Sequence, residues 1–314
     1  MLVLCAILPA VFLGIYIFIK DRVEKEPARL LAALLISGVV ICFPVIKVSG
    51  FINDIIINIF YNFGTVNTEG ILELGSFTYR CYTAVKYFIS VALVEEGFKW
   101  LAMFAITRDN KNFNSLFDGI VYAAFVSLGF AAYENILYAL DYGWDTVLIR
   151  AFTAVPGHVF NSIFMGYYYS LWHVYRKARN QERVLKQKGY INCEAEEFKS
   201  GRFLLLSVLV PVLIHGFYDY CCTIDTVPMT VVFYAFLYSL YIICFRKVRK
   251  MSRLDSIDTA FATRMVINKH ENLAEFLAEN HVGTFNSRSF RFLRPLKFSR
   301  NVTALDIIEE IQNS

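Results

Sequence analysis

Ser90-Val91-Ala92-Leu93-Val94-Glu95-Glu96-Gly97-Phe98-Lys99-Trp100 sets two adjacent glutamates and a lysine inside an apolar run from about Cys81 to Thr107. At ~1.5 Å of rise per residue, a helix over that run is long enough to cross a bilayer. An acidic side chain near the bilayer centre costs roughly 2.5–3.5 kcal/mol on insertion scales. Two of them, with a cation one turn on, belong to a protein interior and not to a lipid-facing surface. The stretch predicts a helical membrane protein with a buried ionisable site.

Composition agrees. Of 314 residues, 56% are hydrophobic and only 18% charged, which is too apolar for an ordinary soluble domain. Apolar runs near spanning length occur at about 2–19, 29–46, 82–107, 117–140, 146–173, 202–222 and 228–245. The first has no basic region before its apolar core and is followed by Lys20 and Asp21 in place of a small-residue cleavage site, so it reads as a retained helix. The expected fold is all-α: a polytopic membrane helix bundle of about seven transmembrane helices over residues 1–250, followed by a cytoplasmic C-terminal tail, 251–314.

Loop charge orients the bundle. Lys20, Arg22, Lys25 and Arg29 follow the first run, and Arg108 and Lys111 the third. Arg176, Lys177, Arg179, Arg183, Lys186, Lys188, Lys199 and Arg202 follow the fifth, and Arg246, Lys247, Arg249, Lys250 and Arg253 the seventh. The alternate loops carry only Lys47 and Arg80. The positive-inside rule then puts the N-terminus outside and the C-terminus in the cytoplasm of a multi-pass protein. The net charge of +4 is a topology signal addressed to membrane lipid, and no nucleic-acid partner is implied. The seven cysteines show no metal-ligand spacing and no CxxC. They read as buried thiols, although Cys81, Cys221 and Cys222 lie near outer helix ends where a disulfide is conceivable.

Two segments do not span. Asp54, Asn58 and Asn62 form a polar stripe on the otherwise apolar 51–63, as expected of a helix lying at the outer interface. The polar tail has short helical patterns such as Asn272–Glu279. Its stretch Ser287-Arg288-Ser289-Phe290-Arg291-Phe292-Leu293-Arg294 interleaves basic and aromatic residues, as for adhesion to a membrane surface.

Polar residues inside the spans come from four different helices: Glu95, Glu96 and Lys99; Glu134 and Asn135; His158 and Asn161; His215 and Asp219. Counted from the helix ends at ~1.5 Å per residue, Glu95, Glu96, His158 and His215 share one depth, and Glu134 falls about 8 Å further out. Adjacent helical residues point about 100° apart, so Lys99 pairs with one glutamate and leaves the other free. A free carboxylate with a histidine can take a proton from water, while a second histidine hydrogen-bonds a developing oxyanion.

Glu95-Glu96-x-x-Lys99, Phe130-x-x-x-Glu134-Asn135, His158 with Gly166 eight residues on, and His215-Gly-x-Tyr-Asp219 together resemble the PrsW family of intramembrane proteases, within the superfamily of CAAX prenyl proteases and Abi-type proteases. The resemblance covers roughly residues 1–250, including the Glu-rich stretch Glu24–Pro27, and excludes the tail. It implies site-1 cleavage of a membrane-anchored anti-sigma factor in a bacterial cell membrane, releasing a sigma factor after further proteolysis. It also implies Glu95, Glu96, His158 and His215 as the catalytic set. The superfamily usually ends in His-x-x-x-Asn, where this chain has Asp219.

Blander roles are open for each residue. The glutamates and Lys99 can form a buried ion pair, Glu134 and Asn135 can be interhelical hydrogen-bonding groups, and Asp219 can orient Tyr218 or a histidine. His158, His215 and one of Glu95 or Glu96 would make a zinc set. No HExxH is present, so the sequence favours glutamate-activated water with no cofactor, zinc being the alternative. A transporter with a midplane polar site is a rival, but it would often show repeats, and none is visible. A non-catalytic scaffold is the other; the presence of both glutamates and both histidines argues against it.

Overall fold

The computed structural model describes residues 1–22, 24–63, 77–192, 194, 197–224, 226–255, 257–273, 275 and 303–312. Without water, backbone N–H and C=O groups must pair within their own segment, so apolar runs fold as helices. They are α1 (Leu2–Lys20), α2 (Ala28–Phe63), α3 (Phe77–Val85), a π-helical segment (Lys86–Leu93), α4 (Val94–Thr107), α5 (Asp118–Tyr142) and α6 (Trp144–Phe152). After them come α7 (Ala154–Gln187), α8 (Gly201–Thr223), α9 (Val227–Leu254), α10 (Asp258–Lys269) and α11 (Ala304–Gln312). No strand occurs among the described residues, apart from one isolated bridge between Ser115 and Ile257. The protein is a polytopic helical membrane protein.

Among the described residues, six helical stretches are long and apolar enough to cross a membrane: α1, α2, α5, α6 with α7, α8 and α9. The helical run 77–107 has comparable length but carries Arg80, Lys86, Glu95, Glu96 and Lys99, and it falls outside that set. Two local expectations change. Residues 51–63 are the far end of α2 and not a separate element, because nothing between Lys47 and Phe51 stops a helix; a Cβ on Gly50 would meet nothing within 4 Å. The expected span 146–173 is two helices, broken at Thr153. The six cysteines among the described residues are free thiols.

α5 is the hub, buried on nearly every face from Asp118 to Ala131 and packed against α1, α2 and α7. Glycines allow those approaches. A Cβ on Gly38 would sit 2.0 Å from the Val126 carbonyl oxygen, one on Gly129 2.0 Å from that of Leu35, and one on Gly166 2.2 Å from that of Gly119. Small residues let membrane helices touch backbone to backbone, and here they draw both α2 and α7 onto α5.

α10 and α11 pack on the distal end of α7, where Ala262, Val266, Ile267, Ile307 and Ile308 meet Val174, Ala178 and Leu185. Asp258 locks the join, its Oδ2 lying 2.6 Å from Lys177 Nζ and 3.0 Å from His173 Nε2. Burial raises the Asp258 carboxyl, but the contacts with His173 and Lys177 outweigh it and hold the group below the usual carboxylate range. The stretch Ser287–Arg294, most of Asn272–Glu279, and His281 lie outside the described residues.

Candidate active site

The π-helical segment ends at Leu93, two residues before Glu95. Such i→i+5 turns are concentrated at functional sites because they re-aim the residues that follow. Here both glutamates turn inward. Lys99 lies one turn on, and its ammonium reaches Glu96 Oε1 at 2.9 Å and Glu95 Oε2 at 3.3 Å. Lys99 therefore bridges the two carboxylates, instead of pairing with one and freeing the other. The pair is still unequal. Glu96 is fully buried and its Oε2 has no partner, whereas the Glu95 side chain is 10% exposed and lines a cavity.

The third hydrogen of Lys99 goes to α7, with Nζ 3.0 Å from His158 Nδ1. An ammonium only donates, so Nδ1 accepts and Nε2–H donates to Glu134 Oε2 at 2.9 Å. Glu134 is held in turn by Arg150 of α6 at 2.6 Å. Arg150 also donates to Asn135 Oδ1, whose amide donates to the Ala6 carbonyl of α1. From α8, His215 places Nδ1 2.8 Å from Glu96 Oε1 and Nε2 3.2 Å from Asp219 Oδ2. The two imidazoles are 5.4 Å apart and nearly perpendicular. Each has one nitrogen toward the Glu96–Lys99 centre and the other toward an outlying carboxylate, Glu134 or Asp219.

Glu95, Glu96, His158 and His215 each offer a ligand atom, and these atoms all lie within 4.8 Å of one another. The residues expected to share a depth do meet. Glu134, placed about 8 Å further out by counting residues, is in direct contact with His158, because helix ends do not mark a common plane in a bundle of unequal helices. Asp219 contacts His215, its Oδ2 lying 3.2 Å from Nε2. Asn161 is buried one turn beyond His158, and among the described residues the hydrogen bonds of the cluster do not include it. His173 and His270 serve elsewhere, against Asp258 and Glu182. Arg150 has no place in the sequence reading, and Phe130 appears there only within the motif Phe130-x-x-x-Glu134-Asn135. Arg150 shows the same signal as the glutamates, a charge inside an apolar run. The Phe130 ring lies 4.0 Å from the Lys99 ammonium, and only the fold reveals that contact.

A cavity of about 320 Å³ opens onto the cluster between α2 and α5, with Glu95 and Glu134 in its lining. A family model described as PrsW family intramembrane metalloprotease matches residues 26–245, from the start of α2 to near the end of α9. The chain belongs to the PrsW family. Protease PrsW of Geobacillus kaustophilus (strain HTA426) is 32% identical over 219 residues, which is 70% of this chain and 78% of that protein. Protease PrsW of Bacillus subtilis (strain 168) is 30% identical over 217 residues, 69% of this chain and 80% of the relative. That of Clostridioides difficile (strain 630) is 29% identical over 228 residues, 71% and 80% respectively. No solved structure matches the chain. This PrsW-family protein is an intramembrane peptidase. The matched span contains every residue of the cluster but omits α1, whose Ala6 carbonyl braces Asn135, and also α10 and α11.

The family description implies a metal, and the donor set fits one. An internal cation, the Lys99 ammonium, already touches three of the four candidate ligands. Among the described residues, Glu95, Glu96, Glu134 and Asp219 face two fixed cations, Lys99 and Arg150; His215, with a carboxylate oxygen at each ring nitrogen, is doubly protonated unless a metal takes one nitrogen, and with both imidazoles neutral the excess is two negative charges. One divalent ion would balance that. Each histidine also has the outlying carboxylate that metal-bound imidazoles use to fix their orientation.

Proposed function

We propose that this peptidase cleaves a single-pass membrane protein at the Glu95–Glu96–His158–His215 cluster, and that its substrate is an anti-sigma factor in a bacterial cell membrane. The gathering of these four groups from α4, α7 and α8 within 4.8 Å carries the proposal. The family assignment supports a membrane-protein substrate and the bacterial relatives support the setting, while the anti-sigma factor is what the resemblance of the motifs implies. Loop charge supports an outside N-terminus and a cytoplasmic C-terminus.

Glu95 is the base, being the one of the two adjacent α4 glutamates that lines the cavity. It takes one proton from water as the water oxygen adds to the scissile carbonyl. Once Glu95 carries that proton it releases the Lys99 hydrogen it had held, and this hydrogen then stabilises negative charge growing on the carbonyl oxygen. As the C–N bond breaks, Glu95 returns that proton to the departing amine. Glu134 and Asp219 hold the two imidazoles in place throughout. A zinc ion held by His158, His215 and Glu96 would supply Lewis-acid polarisation to this site when bound.

The test compares membrane proteomes of cells carrying the intact chain and Glu95→Gln. A single-pass protein should accumulate uncut in the variant, and His158→Ala, Glu96→Gln and His215→Ala should act alike at normal protein levels. Full processing by both glutamate variants would refute the assignment. Dialysis against a strong chelator should remove roughly one zinc per chain together with activity, and added zinc should restore both. Activity that survives complete metal removal would instead support glutamate-activated water alone.

A further inference from the structure

A second group of acids is buried where α1 stops and α2 and α5 begin, the end that loop charge assigns to the cytoplasm. Asp21 follows α1, Glu26 precedes α2 and Asp118 opens α5, and they are 1%, 6% and 1% exposed. We propose that Glu26 and Asp118 bind a hydrated divalent cation of the oxygen-preferring class, Mg²⁺ before Ca²⁺, with Asp21 reaching it through water. The site is separate from the peptidase cluster: Glu134 lies 16 residues along α5 from Asp118, roughly 24 Å at ~1.5 Å per residue.

The three carboxyls are unequally served. Asp118 Oδ2 accepts the Asn114 and Ser115 N–H groups at 2.9 and 2.7 Å, and Oδ1 accepts the Ser115 hydroxyl, which leaves a lone pair of Oδ1 over. Glu26 Oε1 accepts the Tyr122 hydroxyl at 3.0 Å, while Oε2 is buried with no partner. Neither Asp21 oxygen has a partner, the Glu26 N–H beside them being too poorly aligned to donate. The Glu26 carboxyl lies within hydrogen-bonding reach of Asp118, and Asp21 is close enough to repel it. The unserved oxygens therefore converge.

A carboxylate in a dry interior must be hydrogen-bonded or paired. In the catalytic cluster Lys99, Arg150 and the histidines meet that need. Here, among the described residues, no Lys or Arg makes an ion pair with Asp21, Glu26 or Asp118. Lys25, next to Glu26 in the chain, turns its ammonium to the carbonyl oxygens of Phe18 and Asp21. Glu24 adds further negative charge. Burial, helped by Asp21 and Glu24 and opposed by the Tyr122 hydrogen bond, pushes the Glu26 carboxyl up to about 7.

Donor chemistry selects the ion. Carboxylates are hard oxygen donors, suited to Mg²⁺ and Ca²⁺ and not to softer metals. Mg²⁺ keeps several waters and needs only one or two carboxylates, whereas Ca²⁺ takes about six to eight oxygens. The place is a junction. Asn114 and Ser115, which hold Asp118, also meet the tail: the Asp258 N–H donates to the Asn114 carbonyl at 2.9 Å, and Ser115 bridges Ile257. The Ser252 hydroxyl donates to the carbonyl of Lys20, the residue before Asp21. One cation here ties the α1–α2 loop, the start of α5 and the tail together.

The experiment frees full-length protein in zwitterionic detergent of divalent ions with a chelator, dialyses it, and reads its melting temperature as MgCl₂ is added. A rise of about 3 °C or more is expected. Glu26→Gln should need about ten-fold more Mg²⁺ for half the rise, or show none, and without Mg²⁺ it should melt no lower than the unsubstituted protein, because a neutral amide needs no cation. Asp21→Asn should weaken the response in the same direction and decides the matter should Glu26→Gln not fold. Glu95→Gln, in the catalytic cluster, should respond as the unsubstituted protein does. CaCl₂ acting in place of MgCl₂, with the same loss in Glu26→Gln, supports the site. No response to either ion shows that protons neutralise these carboxyls and overturns the proposal. An equal response in Glu26→Gln and Asp21→Asn, or a response to zinc alone, also overturns it.

Discussion

Lys99 donates to Glu95, Glu96 and His158 with its ammonium over the Phe130 ring, and every one of those contacts is buried. Replacing it with methionine strands two carboxylates in a dry interior, and breaking a buried pair in this way costs about 3–5 kcal/mol. Lys99→Met should therefore melt earlier in detergent, and zinc should recover more of the loss than it adds to the unsubstituted protein, because a cation returns to the same oxygens. Equal melting of the two proteins without zinc would show that the ammonium is not what balances the cluster. Arg150 acts one contact further out, through Glu134. Arg150→Gln should lower kcat more than it raises KM, and Arg150→Lys should restore part of the loss by supplying a charge but not the second bond to Asn135. The four clustered residues were legible in the sequence because ionisable groups in apolar runs are costly. Their unequal roles were not, since which glutamate faces the cavity depends on the π-helical turns that precede them.

At the scale of elements, glycine contacts set the spacing of the site helices. Gly129→Ala forces a methyl against the Leu35 carbonyl oxygen, where the opposing atoms are backbone and cannot swing aside. Overpacking of this kind costs about 1–3 kcal/mol, so the variant should lose thermal stability and also activity, as α2 and α5 separate beneath the site. Gly50→Ala on the same α2 meets nothing within 4 Å and should be neutral or slightly stabilising. Equal effects of the two would discount the close approach. Gly166, eight residues after His158, and Gly216, next to His215, have the same explanation: they are contact points with Gly119 and Phe88.

For the whole molecule, α10 and α11 make the distal end of α7 a packed module, closed by Asp258 on His173 and Lys177. Asp258→Ala should release this end, costing about 3 kcal/mol locally, and limited proteolysis should then remove the C-terminal segment faster. Because the Asp258 carboxyl is held below its ordinary value, its contribution is complete above the ordinary carboxylate range and fades only as pH falls through the lower folded value. The module should stay docked at neutral pH and loosen only in strong acid; release near neutrality would point to another contact. Orientation is tested with a membrane-impermeant thiol reagent on a cysteine-free background. It should label a cysteine placed at Leu2 from outside and one at Leu254 only after the membrane is opened.

By itself, the sequence determined that the chain is a helical membrane protein with two acids and two imidazoles gathered inside it. Apolar length and the desolvation cost of charge are local properties that any window of residues displays. The tertiary structure decided that Lys99 bridges both glutamates, that Glu134 and Asp219 back the two histidines, that 51–63 continues α2, and that a cavity lies between α2 and α5. Each of these depends on how far one helix is shifted and rotated against another. That is settled by glycine contacts and a π-helical turn, whose effects reach side chains a hundred residues away in the chain.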